Sequence, residues 1–238
     1  MKRIFIADAH LRQPEDDNYQ LLLRFLSDIQ DTTETLFILG DLFEFWIGYH
    51  EKNFPHYRPL LDRLQQLSES GIKIVYFEGN HDFHLGRFFS ETLQATVYTK
   101  PAIVELDGKR VYICHGDQIN SQDYGYSLLR FLLHSPLTKA LFPLFPPAMV
   151  FSIAHYLSCR SKKYHKVRNI RKDYKSLLDK FADSQFGKGC DAVVTAHFHF
   201  PLLSVTEEGK TLLSLGDWIT QFSYGELSAG QFSVHTYQ

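Results

Sequence analysis

Apolar residues in the first part of the chain follow two spacings, one typical of buried strands and one typical of amphipathic helices. Short apolar runs predict strands at Lys2–Ala7, Thr35–Leu39 and Lys73–Phe77. Helical spacing relates Tyr19, Leu22, Leu23, Leu26 and Ile29, and again Tyr57, Leu60, Leu61, Leu64 and Leu67. Gly71 suits the end of the second helix. This alternation indicates a parallel sheet covered by helices.

The second part of the chain is richer in short strands. Ile103–Leu106 and Arg110–Cys114 flank Asp107-Gly108, which predicts a hairpin. Further short strands are predicted at Asp191–Thr195, Leu202–Val205, Thr211–Leu215 and Gln231–Thr236. Between these strand-rich halves lies an apolar, aromatic segment that predicts helices. We therefore expect one α/β domain over residues 1–238, with a helical insert at about 124–185.

Composition limits the possible classes of protein. The 238 residues suffice for one sizeable core, and 44% hydrophobic with 22% charged residues is ordinary for a soluble globular protein. A net charge of -2 lacks the basic field typical of nucleic-acid binders. Three widely spaced cysteines imply no disulfide framework. With no signal-peptide layout or membrane-spanning apolar stretch, a cytoplasmic location is expected, and peripheral membrane contact stays open.

Polar residues follow the predicted strands at the point where each strand ends. The segments are Asp8-Ala9-His10, Gly40-Asp41, Gly79-Asn80-His81-Asp82, His115-Gly116-Asp117 and His197-Phe198-His199. Each segment alone could be an ordinary turn. Together they predict one site, because open α/β sheets build their sites beyond the carboxyl ends of strands. Mixed oxygen and imidazole ligands suit Mn, Fe, Zn or Co.

The order and types of these motifs resemble the calcineurin-like metallophosphoesterases, although Ala196 stands where that family usually has glycine. The resemblance implies a four-layer α-β-β-α sandwich and two divalent ions, Mn²⁺ being favoured. It implies that one ion is held by Asp8, His10, Asp41 and His199, and the other by Asp41, Asn80, His115 and His197. Asp41 would bridge ions roughly 3.5–4 Å apart, the spacing that clamps a phosphate. His81 would stabilise the transition state or protonate the leaving group.

Other polar residues near these motifs carry weaker signals. Asp82 could orient His81, or could serve as a capping or turn residue. Asp217 is interpreted as structural. His50, His56 and His84 lack motif context and are interpreted as surface residues.

The string Gly40–Gly48 resembles the corresponding stretch of the UDP-2,3-diacylglucosamine hydrolases of lipid A biosynthesis, a pyrophosphate-cleaving family. Its apolar residues could also simply pack on the core. The helical insert matches a lid of that family in position and character, and could line an acyl-chain groove or form its own small core. The segment Arg160–Lys175 holds eight basic residues and one acidic residue. It could form a solvated helix face, or it could bind diphosphate or anionic headgroups.

The resemblance also implies a set of substrate contacts, although the pattern around Ser161 and Arg168 is loose. The set is Asn80, His81, Asp123, Ser161, Arg168 and His197. The implied partners are a lipid-linked nucleotide substrate and an anionic membrane surface, with no stable nucleic-acid partner and no protein partner inferred. The best-known hydrolases of the family have arginine where this chain has His81, so another phosphoester stays open: a nucleotide, a cyclic nucleotide or DNA. A non-catalytic scaffold is the remaining alternative.

Overall fold

A computed structural model describes residues 1–48, 50–120, 124–146, 149–150 and 174–238. The strands of these residues are β1 (Lys2–Ile6), β2 (Thr33–Ile38), β3 (Trp46–Ile47), β4 (Lys73–Phe77), β5 (Asp82–Phe83), β6 (Thr96–Tyr98), β7 (Ala102–Leu106), β8 (Lys109–Ile113), β9 (Ala192–Thr195), β10 (Leu202–Val205), β11 (Thr211–Ser214), β12 (Ser223–Ser228) and β13 (Gln231–Thr236). The helices are α1 (Asp17–Asp28), α2 (Arg58–Glu69), α3 (Tyr124–Leu133), α4 (Pro136–Leu141) and α5 (Tyr174–Phe186). Short helical turns lie at Glu51–Asn53, Pro55–Tyr57, Phe88–Thr92 and Phe142–Leu144.

Two mixed sheets form the centre of the molecule. The first has the order β13-β12-β1-β2-β4-β6, and its strands β1, β2, β4 and β6 are parallel. The second has the order β10-β11-β9-β8-β7, with β8, β9 and β11 parallel. The short strands β3 and β5 form a separate pair. In both sheets, parallel strands therefore direct several carboxyl ends to a common edge.

Alternating side chains of the strands divide the core into three parts, which confirms the four-layer α-β-β-α sandwich. Ile4 and Ile6 of β1 pack toward α1 and α2, whereas Phe5 between them packs toward the second sheet. On the far side of the second sheet, Val193 packs against α5, with Leu178 among its partners. This is the period-two alternation of a strand that is buried on both faces.

Local turn chemistry accounts for several predicted boundaries. Asp107 and Gly108 have φ angles of 51° and 75°, as a two-residue hairpin between β7 and β8 requires. Gly71 follows α2 with φ 97°, the left-handed conformation that ends many helices. The predicted hairpin and helix end are thus confirmed.

Some features of the fold differ from the sequence-based expectation. The strands β12, β6, β3 and β5 were not predicted. Glycine weakens the strand signal in β12, but Gly225 is required there, because a Cβ at this residue would lie 2.8 Å from the Leu213 side chain of the other sheet. Trp46 and Phe43 are fully buried, so the apolar string after Asp41 does pack on the core.

The segment predicted as a helical insert is helical where the structure describes it. Helices α3, α4 and α5 lie within or overlap residues 124–185, whereas residues 147–148 and 151–173 of the predicted insert lie outside the described part of the chain. The bounds of the insert and of the single domain stay predictions. Among the described residues, no helix combines the length and the apolar character needed to cross a membrane.

Candidate metal centre

The loops after β1, β2, β4, β8 and β9 meet at one edge of the two sheets. Backbone hydrogen bonds join the first two loops, since Asp8 N–H donates to the Gly40 carbonyl at 3.1 Å and His10 N–H donates to the Asp41 carbonyl at 3.0 Å. The Asp8 carboxylate accepts the His197 N–H at 2.8 Å and so connects the two sheets. The predicted ligands are thereby brought together: Asp8, His10, Asp41, Asn80, His115, His197 and His199.

Backbone conformation in these loops is unusual for residues that carry side chains. The φ angles are positive at Asp8 (53°), His10 (45°), Asp41 (54°), His197 (72°) and His199 (51°). Non-glycine residues adopt this region rarely and at a cost, typically about 1–3 kcal/mol for each residue. Such a concentration of strained residues is characteristic of a functional site rather than of ordinary turns.

Two glycines permit the loops after β2 and β4 to come close. A Cβ at Gly40 would lie 2.6 Å from the Gly79 Cα and 2.8 Å from Nδ1 of His115. A Cβ at Gly79 would lie 2.2 Å from Oδ1 of Asp41. Any side chain at either residue would push the ligands apart, which explains the glycine before each motif.

One group of ligands consists of Asp8, His10 and His199, with Asp41 beside them. Nε2 of His199 lies 3.7 Å from Oδ1 of Asp8, and Nε2 of His10 lies 3.9 Å from the same oxygen. Nε2 of His10 is also 3.7 Å from Oδ2 of Asp41. These donor atoms surround one small volume, as the ligands of a single ion must.

A second group consists of His115, Asn80 and His197 on the other side of Asp41. Nε2 of His115 lies 3.1 Å from the Asn80 amide oxygen, 3.3 Å from Nδ1 of His197 and 3.5 Å from Oδ2 of Asp41. Nδ1 of His115 donates to the Leu39 carbonyl at 2.6 Å, which directs Nε2 into the site. Asp41 Oδ2 is thus near both groups, in the position of a bridging ligand.

Asp82 supports the backbone of this centre. Its Oδ1 accepts from the N–H groups of Asp41 at 2.9 Å and Gly79 at 3.0 Å. Its Oδ2 accepts from the Leu42 N–H at 2.7 Å and the Tyr76 hydroxyl at 2.6 Å. Asp82 therefore braces the loops after β2 and β4, whereas the His81 ring is held by the Glu44 carbonyl.

His81 is held from two sides. Its N–H donates to Oδ1 of Asp41 at 2.8 Å, and its ring Nδ1 donates to the Glu44 carbonyl at 2.8 Å. The ring meets the His10 ring edge to face, with centroids 4.7 Å apart. Because a carbonyl only accepts, Nδ1 carries hydrogen and Nε2 is the nitrogen left for the site.

Two carboxylates at the centre were not recognised from the sequence. Asp217 accepts from Nδ1 of His199 at 3.2 Å, while its other oxygen accepts the Thr220 N–H at 2.7 Å. Glu44 lies 3.7 Å from Nδ1 of His10. Asp217 lies just after strand β11, and because the same placement identified the candidate ligands, this was the signal that could have found it.

Two histidines interpreted as surface residues are less exposed than expected. His84 is buried, and its Nε2 donates to the Leu133 carbonyl at the end of α3 at 3.2 Å. His56 is partly buried, and only His50 is exposed. The interpretation was wrong for His84 because the sequence around this residue does not show that α3 packs against it.

Electrostatics at the centre favour a bound cation. Burial acts to lower the pKa of His115, but the carboxylates of Asp41 and Asp8 raise it to about 10. Burial and the charge of His115 lower the pKa of His197 to about 4, so this imidazole is neutral. Buried carboxylates require a positive partner, and in the metal-free chain His115 provides it. Carboxylate, amide and neutral imidazole donors fit a divalent ion.

The remaining predicted substrate residues, Asp123, Ser161 and Arg168, lie outside the described residues. Asn80, His81 and His197 lie at the centre. Their roles as contacts stay predictions.

Comparison with known proteins agrees with this site. A family model described as calcineurin-like phosphoesterase matches residues 1–201. An archaeal phosphodiesterase of known structure shares the fold, with a TM-score of 0.50, 14% identity and 99% of each chain covered. The fold and the donor set thus define a divalent-metal phosphoesterase of the calcineurin-like class.

Curated relatives narrow the family further. The UDP-2,3-diacylglucosamine hydrolase of Aeromonas salmonicida is 32% identical over 97% of this chain and 91% of its own. The enzyme of the same name from Pseudomonas syringae pv. tomato is 33% identical over 92% and 88%. The chain belongs to the UDP-2,3-diacylglucosamine hydrolase family within the calcineurin-like phosphoesterases, and is a metal-dependent phosphoester or pyrophosphate hydrolase.

Proposed function

We propose that this enzyme hydrolyses the pyrophosphate of UDP-2,3-diacylglucosamine. The observation that carries the proposal is the match to relatives of that name over nearly the whole chain. A water oxygen attacks the α-phosphorus, and the bond from that phosphorus to the bridging oxygen breaks. The bridging oxygen leaves with the β-phosphate, and the elements of water are divided between UMP and 2,3-diacylglucosamine 1-phosphate.

Two divalent ions support this reaction in our proposal. Asp8, His10 and His199 would hold one ion, Asn80, His115 and His197 would hold the other, and Asp41 would be shared by both. We favour Mn²⁺, with Fe, Zn and Co as alternatives for this donor set. When bound, such ions stabilise phosphoryl charge as Lewis acids and lower the pKa of water toward neutrality.

His81 acts on the transition state in this proposal. Its backbone N–H donates to Oδ1 of Asp41 and the Glu44 carbonyl fixes its ring, which supports a role beside the proposed ions. Nε2 can then bind a phosphoryl oxygen or give a proton to the leaving oxygen. The best-known hydrolases of the family have arginine at this position, so the donor group of this chain is an imidazole in place of a guanidinium.

The acyl chains are assigned to the helical insert. Several apolar side chains of α3, α4 and the turn after them are exposed: Leu128, Phe131, Leu132, Leu137, Leu141, Leu144 and Phe145. An exposed apolar surface of this kind marks a ligand or membrane contact. We propose that it receives the two acyl chains, and that Asp123, Ser161 and Arg168 contribute polar contacts to the substrate.

The substrate resides in a bilayer, so the enzyme must reach it from the surface. We propose a cytoplasmic protein that binds peripherally to the inner face of the cytoplasmic membrane. The basic run Arg160–Lys175 would bind anionic headgroups, with each cation contributing about 1 kcal/mol to the free energy of binding. Only the last two residues of this run are described. Apolar residues of the insert would enter the interface beside it.

The reaction is tested by hydrolysis in ¹⁸O-water with purified substrate. Attack at the α-phosphorus places the label in UMP, and chelation of metal abolishes turnover, as does Asp41→Asn. Label in the lipid phosphate would contradict the attack site. Full turnover without metal would overturn the two-ion centre. Faster turnover of a cyclic nucleotide or of DNA than of the lipid would favour the alternative substrates instead.

A further inference from the structure

The outer nitrogens of the metal-facing histidines have different partners in the two ligand groups. In the group of Asp8, His10 and His199, both imidazoles have a carboxylate at Nδ1: Asp217 at 3.2 Å from His199 and Glu44 at 3.7 Å from His10. In the other group, Nδ1 of His115 meets the neutral carbonyl of Leu39. The hydrogen bond from His199 to Asp217 fixes the orientation of that imidazole, and the negative charges of Asp217 and Glu44 make both imidazoles stronger donors.

Both outer carboxylates are themselves held in place. Arg12 lies 3.2 Å from the second oxygen of Glu44, whose side chain is 15% exposed. The second oxygen of Asp217 accepts the N–H groups of Ile219, Thr220 and Gln221 at 2.7 to 3.1 Å. Neither carboxylate can therefore move far from its histidine without losing these contacts.

The ligands themselves add to the asymmetry. The first group contributes the buried carboxylate of Asp8 in addition to the shared Asp41, whereas the second adds only the neutral amide of Asn80. Attraction of a divalent cation rises with each nearby negative charge, and rises most where water is excluded. The Asp117 carboxylate also lies near the second group, but it is paired with Arg130. Ligand charge and unneutralised outer-sphere charge thus favour the site of His10 and His199.

We infer that Glu44 and Asp217 are positioning residues for His10 and His199, and that they make the ion site of these two histidines the tighter of the two. The inference rests on the two-ion centre of the proposed function. It assigns roles to two residues outside the ligand set. The ion beside Asn80 and His115 is then the one that exchanges more readily.

The test is a Mn²⁺ titration of the metal-free full-length protein, with the two binding steps resolved by calorimetry and equilibrium dialysis. Glu44→Gln and Asp217→Asn keep the shape of each side chain and remove its charge. Each should weaken the tighter step by about 10–100-fold and change the weaker step by less than about twofold. Asn80→Ala should weaken the other step, which identifies that step as binding at the site of Asn80, His115 and His197.

A matched control is Glu226→Gln, which removes a carboxylate of similar exposure (12%) that pairs with Lys2 away from the centre. Both steps should be unchanged in this variant. Glu44→Asp, which retains the charge, should recover part of the lost affinity. A purely structural role would lower the melting temperature of the metal-free protein and weaken both steps equally, and that result would overturn the inference.

Failure of the inference is distinguishable from failure of the proposed function, because the titration contains no substrate. Two binding steps of equal affinity would contradict the inference and leave the proposed function unaffected. A tighter step that Glu44→Gln and Asp217→Asn do not change would have the same meaning. Asymmetric binding of two ions by a protein that does not cleave the lipid would support the inference and contradict only the proposed substrate.

Discussion

At the scale of single residues, Asp82 illustrates how one buried side chain determines the position of several ligands. It accepts hydrogen bonds from the backbone N–H groups of Asp41 and Leu42 and from the Tyr76 hydroxyl. These donors would otherwise be buried without partners, at a cost of about 1–3 kcal/mol each. Its contribution is therefore to the backbone, and through the backbone to Asp41.

Replacing Asp82 by asparagine should lower the free energy of unfolding by about 2–4 kcal/mol, because an amide NH₂ would face N–H donors. Urea denaturation of the metal-free protein measures this. Tyr76→Phe removes only the hydroxyl contact and should cost about 1 kcal/mol. Equal stability of Asp82→Asn and the parent protein would show that Asp82 does not brace the loops.

At the scale of elements, α3 combines a fixed face with an exposed one. Arg130 forms an ion pair with the buried Asp117, just beyond His115, and His84 binds the carbonyl of Leu133. On the exposed side, Phe131 has 72% of its surface accessible. The helix is thus attached to the metal centre by polar contacts and presents apolar side chains outward, as a surface for acyl chains requires.

Phe131→Ser and Phe145→Ser should each raise KM for long-chain substrate about 30-fold, with less change for a short-chain analogue, because burying a phenylalanine contributes about 2 kcal/mol. Phe142 is the matched control, since it packs partly against the main core. Its replacement should lower the melting temperature and affect both substrates alike. Equal losses on both substrates for Phe131→Ser would argue against acyl-chain binding.

At the scale of the whole molecule, buried titratable groups make stability depend on pH. His134 follows α3, stacks on Phe83 at 4.4 Å and lies 4.0 Å from the Glu78 carboxylate. Burial, aided by the positive charge of Arg130, lowers the pKa of His134 to about 3. Below its unfolded pKa of about 6.5, the unfolded chain binds a proton that the folded chain does not.

The contribution of His134 to stability is accordingly complete above pH 6.5 and decreases as pH falls toward 3, by at most about 1.4 kcal/mol per pH unit. His134→Phe keeps the stacking and removes the titration. Between pH 6.5 and 4, the free energy of unfolding should fall less steeply in this variant than in the parent. Parallel pH curves for the two proteins would refute this assignment.

The sequence alone determined the strands that carry ligands and the order of their motifs. Lys2–Ala7, Thr35–Leu39 and Lys73–Phe77 are apolar runs whose burial on both faces leaves little alternative to a parallel strand. Asp8, Asp41 and the other strand-end residues were found because polar groups directly after such strands reach a common edge. The turn at Asp107-Gly108 was readable because few residue pairs adopt it.

Only the tertiary structure decided which residues stand behind the ligands. Asp217 and Glu44 approach His199 and His10 from other segments of the chain, and His84 is buried only because α3 packs over it. Strand β12 was not predicted because Gly225 weakens its strand pattern. The close approach of the second sheet requires glycine at this position. Local patterns of apolar and polar residues specify helices and strands. Contacts between distant segments depend instead on how the layers pack, so they cannot be predicted from the periodicity of the sequence.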